Sequence, residues 1–394
     1  MLTQVQTSAS YVYRVFSTFI SGAMCGRAVP VEELQLMHEL EDIPAFDSIK
    51  FLSYNIFIRP PAPKFTHNVT DDYKDQRLQS FIDNYLDNYD VVCLQEMFGA
   101  FSGRRRKLIR EARKRGFIWK VSSPQSRSSM YLVDGGCLIL SKVKIVAESA
   151  TIFPPGMMSD RLAAKGAIYA KLCPKPGVFV HLFVTHLQAI YPGSSTVQQC
   201  MKIQESQYDE LTNFVLTTVA EHESTEDMLL AMAQTPPMQQ TIDSARQSRR
   251  WPILIAGDFN CNSRPVPGDI VSKTTQPYQA LTDSLSQIGP FSDLLFQAIG
   301  EHPVTYASAN FSLNGTFSPH ETALTHPDDY HESAEFVNQS LDYIFLVPGV
   351  PSNICVPLEA GVKHLPYVSS APSDLKFLSD HWALESIFQV EKQL

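Results

Sequence analysis

The sequence predicts one layered α/β domain over most of its length. Short β-rich apolar runs recur between residues 49 and 390, helical stretches fall between them, and no compositional break divides the chain. With 394 residues and 44% hydrophobic content, there is ample material for a large core.

In chain order the runs read as follows. IKFLSYNIF (49–57) opens the domain as a strand, and residues 74 to 89 carry helical periodicity before the strand DVVCLQEM (90–97). GRRRKLIREARKRG (103–116) reads as a helix with Leu108, Ile109 and Ala112 toward the core and eight Arg and Lys outward. Strands GGCLILSK (135–142), KGAIYAKL (165–172) and VFVHLFVTHL (178–187) follow, then a helix over 199 to 222. WPILIAGDF (251–259), SLDYIFLV (340–347) and HWALESIFQV (381–390) complete the set. Several of these alternate polar and apolar residues, as half-buried antiparallel or mixed strands do.

Three segments stand outside this rhythm. Residues 1 to 48 form a leader whose stretch YVYRVFSTFISGAMCGRAV (11–29) is broken by Arg14 and has no positive region ahead of it. It matches neither a spanning helix nor a signal peptide, and reads as an amphipathic helix, docked on the protein or lying on a membrane. Residues 223 to 250, rich in Met and Gln, and residues 301 to 338, rich in His, Ser and Asn, look like insertions.

The net charge of −9 argues against gripping nucleic acid through bulk positive charge, although a metal could offset local negative charge in a nuclease site. Seven scattered cysteines with no CxxC pair read as free thiols of a reducing compartment. Four sequons, at Asn68, Asn310, Asn314 and Asn338, pull the other way, toward secretion, so the compartment stays open.

The chemistry sits at strand ends. Asn55 follows Ser53 in LSYNI; a hydrophobic run ends in Gln95-Glu96; Thr185 and His186 close FVTH; Asp258 and Asn260 follow an apolar run and a glycine in ILIAGDFN; Asp342 begins a strand in SLDYIFL; and FLSDHW holds Asp380 and His381. GDFN alone reads equally as an Asx turn, and a lone His186 as a satisfied core histidine. A carboxylate in or beside an apolar strand is costly without a partner, however, and here there are four of them with two histidines. If the strands lie side by side, their ends converge and satisfy one another around a cation.

LSYN, LQE, THLQA, GDFN, LDYIFL and LSDH, in this order, resemble the metal-dependent endonuclease/exonuclease/phosphatase superfamily, over about residues 49 to 390. The resemblance implies a DNase I-like fold: a four-layer α/β sandwich of two packed mixed β-sheets flanked by helices, with the site at one edge. It makes residues 49 to 394 a catalytic domain for phosphoester hydrolysis. In-line attack by water needs charge neutralisation, a base, and help for the leaving oxygen. Mg²⁺, with Mn²⁺ as a substitute, would be held by one or two carboxylates plus waters: Glu96 first, Asn55 as a neutral oxygen ligand, and Asp380 holding a bound water or a second ion. His381 would be the general base, oriented by Asp342. Asp258 would position the attacking water, Asn260 would donate to a non-bridging oxygen, and His186 to the phosphate or the leaving oxygen.

SDRLAAKGAIYAKL (159–172) narrows the branch. Asp160 stands five residues before Lys165, which looks like the Asp/Lys pair of neutral sphingomyelinases; an (i, i+5) coincidence in a loop is the bland reading. On the first reading Asp160 brings Lys165 in, and Lys165 offers the phosphate a mobile cation. The implied substrate is sphingomyelin or a related phospholipid at a membrane surface, split to ceramide and phosphocholine, with no nucleic acid partner. The basic helix at Arg104 to Arg115 would meet anionic lipid, or else be an ordinary solvated helix. Some relatives carry membrane-spanning segments; none is evident here, which suggests a soluble or peripherally attached protein. A nuclease of the same fold, and a silent relative that binds lipid or a partner protein, are the alternatives.

Overall fold

The computed structural model describes residues 44–60, 72–125, 131–176, 178–190, 196–231, 251–264, 275–307, 309–311, 317–319, 324, 338–350, 354–368 and 375–391. The leader reading, the sequons at Asn68 and Asn314, and residues 232 to 250 of the first expected insertion lie outside them.

Two β–α–β crossovers set the architecture. Strand β1 (Ser48–Ile58) leads through helix α1 (Lys74–Asn84) to β2 (Val91–Met97), which pairs parallel to β1. Strand β7 (Val178–His186) leads through the long helix α3 (Val197–Ala231) to β8 (Ile253–Asp258), again parallel. Antiparallel neighbours extend each pair. In the first sheet these are β3 (Trp119–Ser122), β4 (Leu138–Ser141), β13 (Cys355–Lys363) and β14 (Ala383–Val390), in the order β13-β14-β1-β2-β4-β3. In the second they are β5 (Lys144–Ile152), β6 (Gly166–Lys175), β9 (Ser292–Asp293) and β12 (Asp342–Val347), in the order β5-β6-β7-β8-β12-β9. A separate hairpin joins β10 (Ala309–Phe311) to β11 (Phe317–Pro319).

Period-two alternation distributes the strand residues between layers. Ile49, Phe51, Val91 and Cys93 of the first sheet meet Val180, Leu182, Val184, Leu254, Ala256 and Ile344 of the second in a central core. The opposite parity, Leu52, Tyr54, Ile56, Val92 and Leu94, packs on Leu78, Phe81 and Ile82 of α1 and on Leu108 and Ala112 of α2 (Arg104–Lys114). On the far side, Phe183, Ile253, Ile255, Tyr343 and Phe345 pack on Tyr208, Leu211 and Val215 of α3 and on Leu281 and Leu285 of α4 (Gln276–Ser286). A short helix α5 (Leu294–Ile299) is capped by Asp293, whose side chain accepts from Leu295 N and Phe296 N. The result is the expected four-layer sandwich of two mixed sheets between helices.

This topology explains why polar residues collect at strand ends. The parallel strands β1, β2, β7 and β8 all finish at one edge of the sandwich, and the antiparallel β12 and β14 start there: Asp342 pairs with Asp258, His186 with Asp258, and Leu384 with Ser53. His186, Asp258 and Asp342 continue the inward-facing parity of Val184, Ala256 and Ile344, so they stand where the central core gives way to solvent. Gly257 permits the close approach of β7 and β8: its φ is +145°, and a Cβ there would lie 2.1 Å from the Thr185 carbonyl oxygen.

Candidate active site

All ten expected site residues lie in described segments, and one continuous set of contacts joins them. Asn55 bridges the sheets. Its Nδ2 donates to Glu96 Oε1 at 3.2 Å and to Asp258 Oδ2 at 2.9 Å, and lies 3.4 Å from His381 Nε2. Its Oδ1 accepts from Phe57 N at 3.1 Å, so the amide presents nitrogen, not oxygen, to the carboxylates. That differs from the expected oxygen ligand, and ligation of an ion by Asn55 requires the amide to turn over.

Glu96 occupies a β-bulge between the Asn55–Gln95 and Ile58–Met97 pairs, with φ at +54°. The left-handed step takes its carboxylate out of the strand alternation and into the site. Gly136 lies directly against it, since a Cβ there would stand 3.2 Å from Glu96 Cα. Glu96 Oε2 is buried and has no hydrogen-bond partner. Burial pushes the carboxyl above its ordinary value, with Arg59 opposing and Asp380 adding to the shift. An orphaned, desolvated carboxylate oxygen beside other carboxylates is what a hard cation would satisfy. Asp258, Asp342 and His381 place their ligand atoms within 4.8 Å of one another, and this acidic donor set fits a divalent metal ion. Asp342 Oδ2 is already engaged by His381 and Thr305, whereas Glu96, outside that triad but joined to Asp258 through Asn55, has the unpartnered oxygen.

His381 Nδ1 lies 2.9 Å from Asp342 Oδ2, and that oxygen also accepts from Thr305 Oγ1 at 2.7 Å. With Asp342 engaging Nδ1, Nε2 faces the centre, 3.7 Å from Asp258 Oδ2. Burial alone would lower the His381 pKa. The carboxylates of Asp342 and Asp258 outweigh it and push the group up to about 10. Asp258, buried next to Asp342, is in turn pushed up to about 7. Its Oδ1 accepts from Asn260 N at 2.9 Å, and Asn260, at φ +51°, donates through Nδ2 to Leu187 O at 3.1 Å. Asp380 is only partly buried. Ser379 Oγ lies 3.2 Å from its Oδ1 and donates to Asn55 O at 2.7 Å.

The second-sheet side holds Lys165, which forms an ion pair with Asp160 Oδ2 at 2.9 Å, donates to Leu187 O at 2.6 Å and lies 3.2 Å from His186 Nε2. Asp160 also accepts from Ala189 N at 2.7 Å. Three partners and deep burial leave no mobile cation here. In this arrangement Lys165 meets His186, Asp160 and Leu187 O, and its expected reach to a phosphate requires it to leave at least one of them. Burial first, then the Lys165 and His381 charges, hold His186 well below the ordinary histidine pKa, hence neutral. Its Nδ1 is buried without a hydrogen-bond partner.

The sequence offered no cue for several supporting residues. Thr305 lies in the expected insertion of 301 to 338, in a polar loop with no motif. Arg77, fully buried at the start of α1, donates to Asp72 O at 2.6 Å, Ile56 O at 2.9 Å, Phe57 O at 2.7 Å and Leu378 O at 2.8 Å. It thereby ties the end of β1 to the segment bearing Asp380 and His381. An arginine in a helix-period run reads as solvated, and only the fold reveals its carbonyl partners.

The basic helix is less free to meet lipid than its composition implied. Arg104 pairs with Asp75 at 2.9 Å and Arg105 with Asp134 at 3.0 Å. Arg110 and Lys114 pair with Glu111 at 3.3 and 2.9 Å, and Arg115 lies within 3.5 Å of Asp83 and 3.4 Å of Asp87. The described cysteines are buried and unbridged. Among the described residues, no helix is long and apolar enough to cross a membrane.

Comparison with known proteins places this geometry. The profile described as the Endonuclease/Exonuclease/phosphatase family matches residues 52–381. A sphingomyelinase of Dictyostelium discoideum is 30% identical over 372 residues, covering 83% of this chain and 76% of that protein. Among solved structures, sphingomyelinase C from Streptomyces griseocarneus aligns with a TM-score of 0.55 at 18% identity, covering 88% of this chain and 100% of that one. Beta toxin from Staphylococcus aureus, as a double mutant with bound magnesium ions, gives a TM-score of 0.53 at 20% identity, covering 88% and 100%.

Proposed function

The chain belongs to the endonuclease/exonuclease/phosphatase family, and on that premise we propose that it is a sphingomyelin phosphodiesterase, releasing phosphocholine and ceramide. The reaction class rests on one observation: His381, held by Asp342, and Glu96, with an unpartnered carboxylate oxygen, both lie against Asn55 Nδ2. The substrate rests on the sphingomyelinase relative that aligns along most of the chain.

Glu96 would hold the ion, with Asn55 turned over and Asp380 nearby; Mg²⁺ is the proposed species, with Mn²⁺ as substitute. When bound, the ion supplies positive charge that offsets the phosphate and lowers the pKa values around it. His381 Nε2 takes the proton of the attacking water, whose oxygen bonds to phosphorus as the bond from phosphorus to the ceramide oxygen breaks, and that oxygen takes up a proton from solvent to leave as the alcohol. Asp342 keeps the imidazole in the tautomer with Nε2 free and stabilises the imidazolium that forms. Asp258 orients the water. Asn260 has a second N–H to offer a non-bridging oxygen, and His186 donates from the opposite sheet. Lys165, fixed by Asp160, sets the tautomer and position of His186. Residues 49 to 394 then form the catalytic domain, with residues 1 to 48 as a leader.

A substrate panel tests this reading. The same preparation is offered sphingomyelin, an inositol-phosphoryl sphingolipid, and DNA or RNA, each with a divalent ion. Preferential phosphocholine release is expected; preferential cleavage of nucleic acid would overturn the substrate while keeping the site.

A further inference from the structure

Among the described residues, four exposed large apolar side chains lie on loops that adjoin site residues in the chain. Phe101 is 72% exposed, Leu132 61%, Met158 51% and Leu162 47%. They come from three loops that the sequence separates and the fold joins. Gly99 N, two residues before Phe101, donates to Asp134 Oδ2 at 3.0 Å, and Leu132 N donates to Leu162 O at 2.8 Å. Each loop also carries or supports site groups. The first follows Glu96 directly, the second holds Gly136 against Glu96, and the third carries Asp160 and leads to Lys165.

Backbone geometry sharpens the anomaly. Phe101 sits at φ +58° and Met158 at φ +53°, a conformation that glycine or asparagine adopts more readily. The chain thus keeps bulky apolar residues at two places where both solvation and backbone preference oppose them. Such outliers, persisting at a site, point to function. The remaining exposed apolar residues lie on other elements, with Phe296 and Ile299 as a pair on α5.

We propose that Phe101, Leu132, Met158 and Leu162 form an apolar rim that seats the mouth of the site in the interface of a zwitterionic phospholipid bilayer. This rests on the sphingomyelin reading above. A buried site acting on a lipid phosphodiester must bring its rim against the headgroup layer, so whatever lines the rim meets lipid. Exposed Arg161, between Met158 and Leu162, suits lipid phosphate. The alternative lipid-facing element, α2, has most of its cations committed to carboxylates of this chain.

The test is co-sedimentation of the full chain with phosphatidylcholine vesicles that lack both sphingomyelin and anionic lipid, at about 0.15 M salt, where electrostatic attraction is short-ranged. The parent protein is expected to bind. Phe101→Ser and Leu132→Ser are each expected to lower the partition coefficient about three- to tenfold, and the pair about 10- to 100-fold. Because the side chains are exposed, thermal unfolding of the variants should match the parent. Failure of the parent to bind, equal binding by the variants, or binding only to anionic vesicles that salt abolishes would each overturn the rim. So would a concentration-dependent dimer, seen by light scattering, that the same substitutions dissolve. Phosphocholine release by the parent is measured separately: its absence defeats the substrate reading, whereas release with undiminished variant binding defeats the rim alone.

Discussion

On the proposed mechanism, His381 and Asp342 determine when the site can act. A base must be neutral, whereas the carboxylates of Asp342 and Asp258 outweigh burial and push His381 up to about 10. A divalent ion held by these carboxylates would oppose them and lower the His381 pKa toward the working range. Activity should therefore rise with pH along an acid limb set by His381. Asp342→Asn removes the largest charge that raises this pKa, so the acid limb of kcat/KM should move to lower pH, while the maximum falls roughly 10²- to 10⁴-fold from lost orientation. An unchanged limb would remove His381 from the role of base. The same groups govern metal-free stability. Asp258, at about 7, and His381, at about 10, both lie above their ordinary values, so the folded state binds more protons than the unfolded chain. Below about pH 6.5 the lowered His186 and His302 oppose Asp258, so the clear fall in stability should come between about pH 7 and 10, as His381 loses its proton. Thermal unfolding followed in EDTA at several pH values checks this, and addition of Mg²⁺ should flatten the decline. A melting temperature in EDTA that rises between about pH 7 and 10 would contradict the buried carboxylate–histidine cluster.

The segment bearing Asp380 and His381 has little regular structure of its own, and Arg77 of α1 secures it. The guanidinium is wholly buried and satisfies four carbonyls from three stretches of chain. Arg77→Met would leave those carbonyls without donors, and denaturant unfolding should show a loss of roughly 3–5 kcal/mol. A loss under about 1 kcal/mol would mean that water replaces the guanidinium and that the staple is incidental. Such elements also show where the sequence was readable. Strands β1, β2, β7, β8 and β12 have strong apolar alternation or continuous burial, and their ends name the site. Strands β5 and β13 were not foreseen: both flank their sheets, β13 contains Pro357, and their half-exposed faces blur the pattern. Two-residue β9 has no period to detect. Helix α4, begun by Thr275 with a proline in its first turn, carried a start signal that was not used. Lys165 was legible as a charge near the site but not as a locked one, because three-fold engagement depends on Leu187 O and His186 arriving from β7.

Across the molecule, each sheet brings one parallel pair to the same edge, and the site exists only because the two sheets pack face to face. Neither sheet alone holds it: Asn55 and Glu96 belong to the first, Asp258, His186 and Asp342 to the second, and Asn55 Nδ2 spans them. The six motifs named residues that the fold brings together, whereas Thr305, Arg77 and the exposed rim, which carry no motif, required the fold. The central claim is that this edge hydrolyses sphingomyelin with a divalent ion held at Glu96. It is tested most directly by phosphocholine release from sphingomyelin in mixed micelles, by parent and Glu96→Gln protein, with Mg²⁺ and then with EDTA. Release by the parent that needs Mg²⁺, and a fall of at least about 10³-fold in Glu96→Gln with its fold intact, is the predicted result. Release that persists in EDTA, or a Glu96→Gln protein as active as the parent, would contradict it.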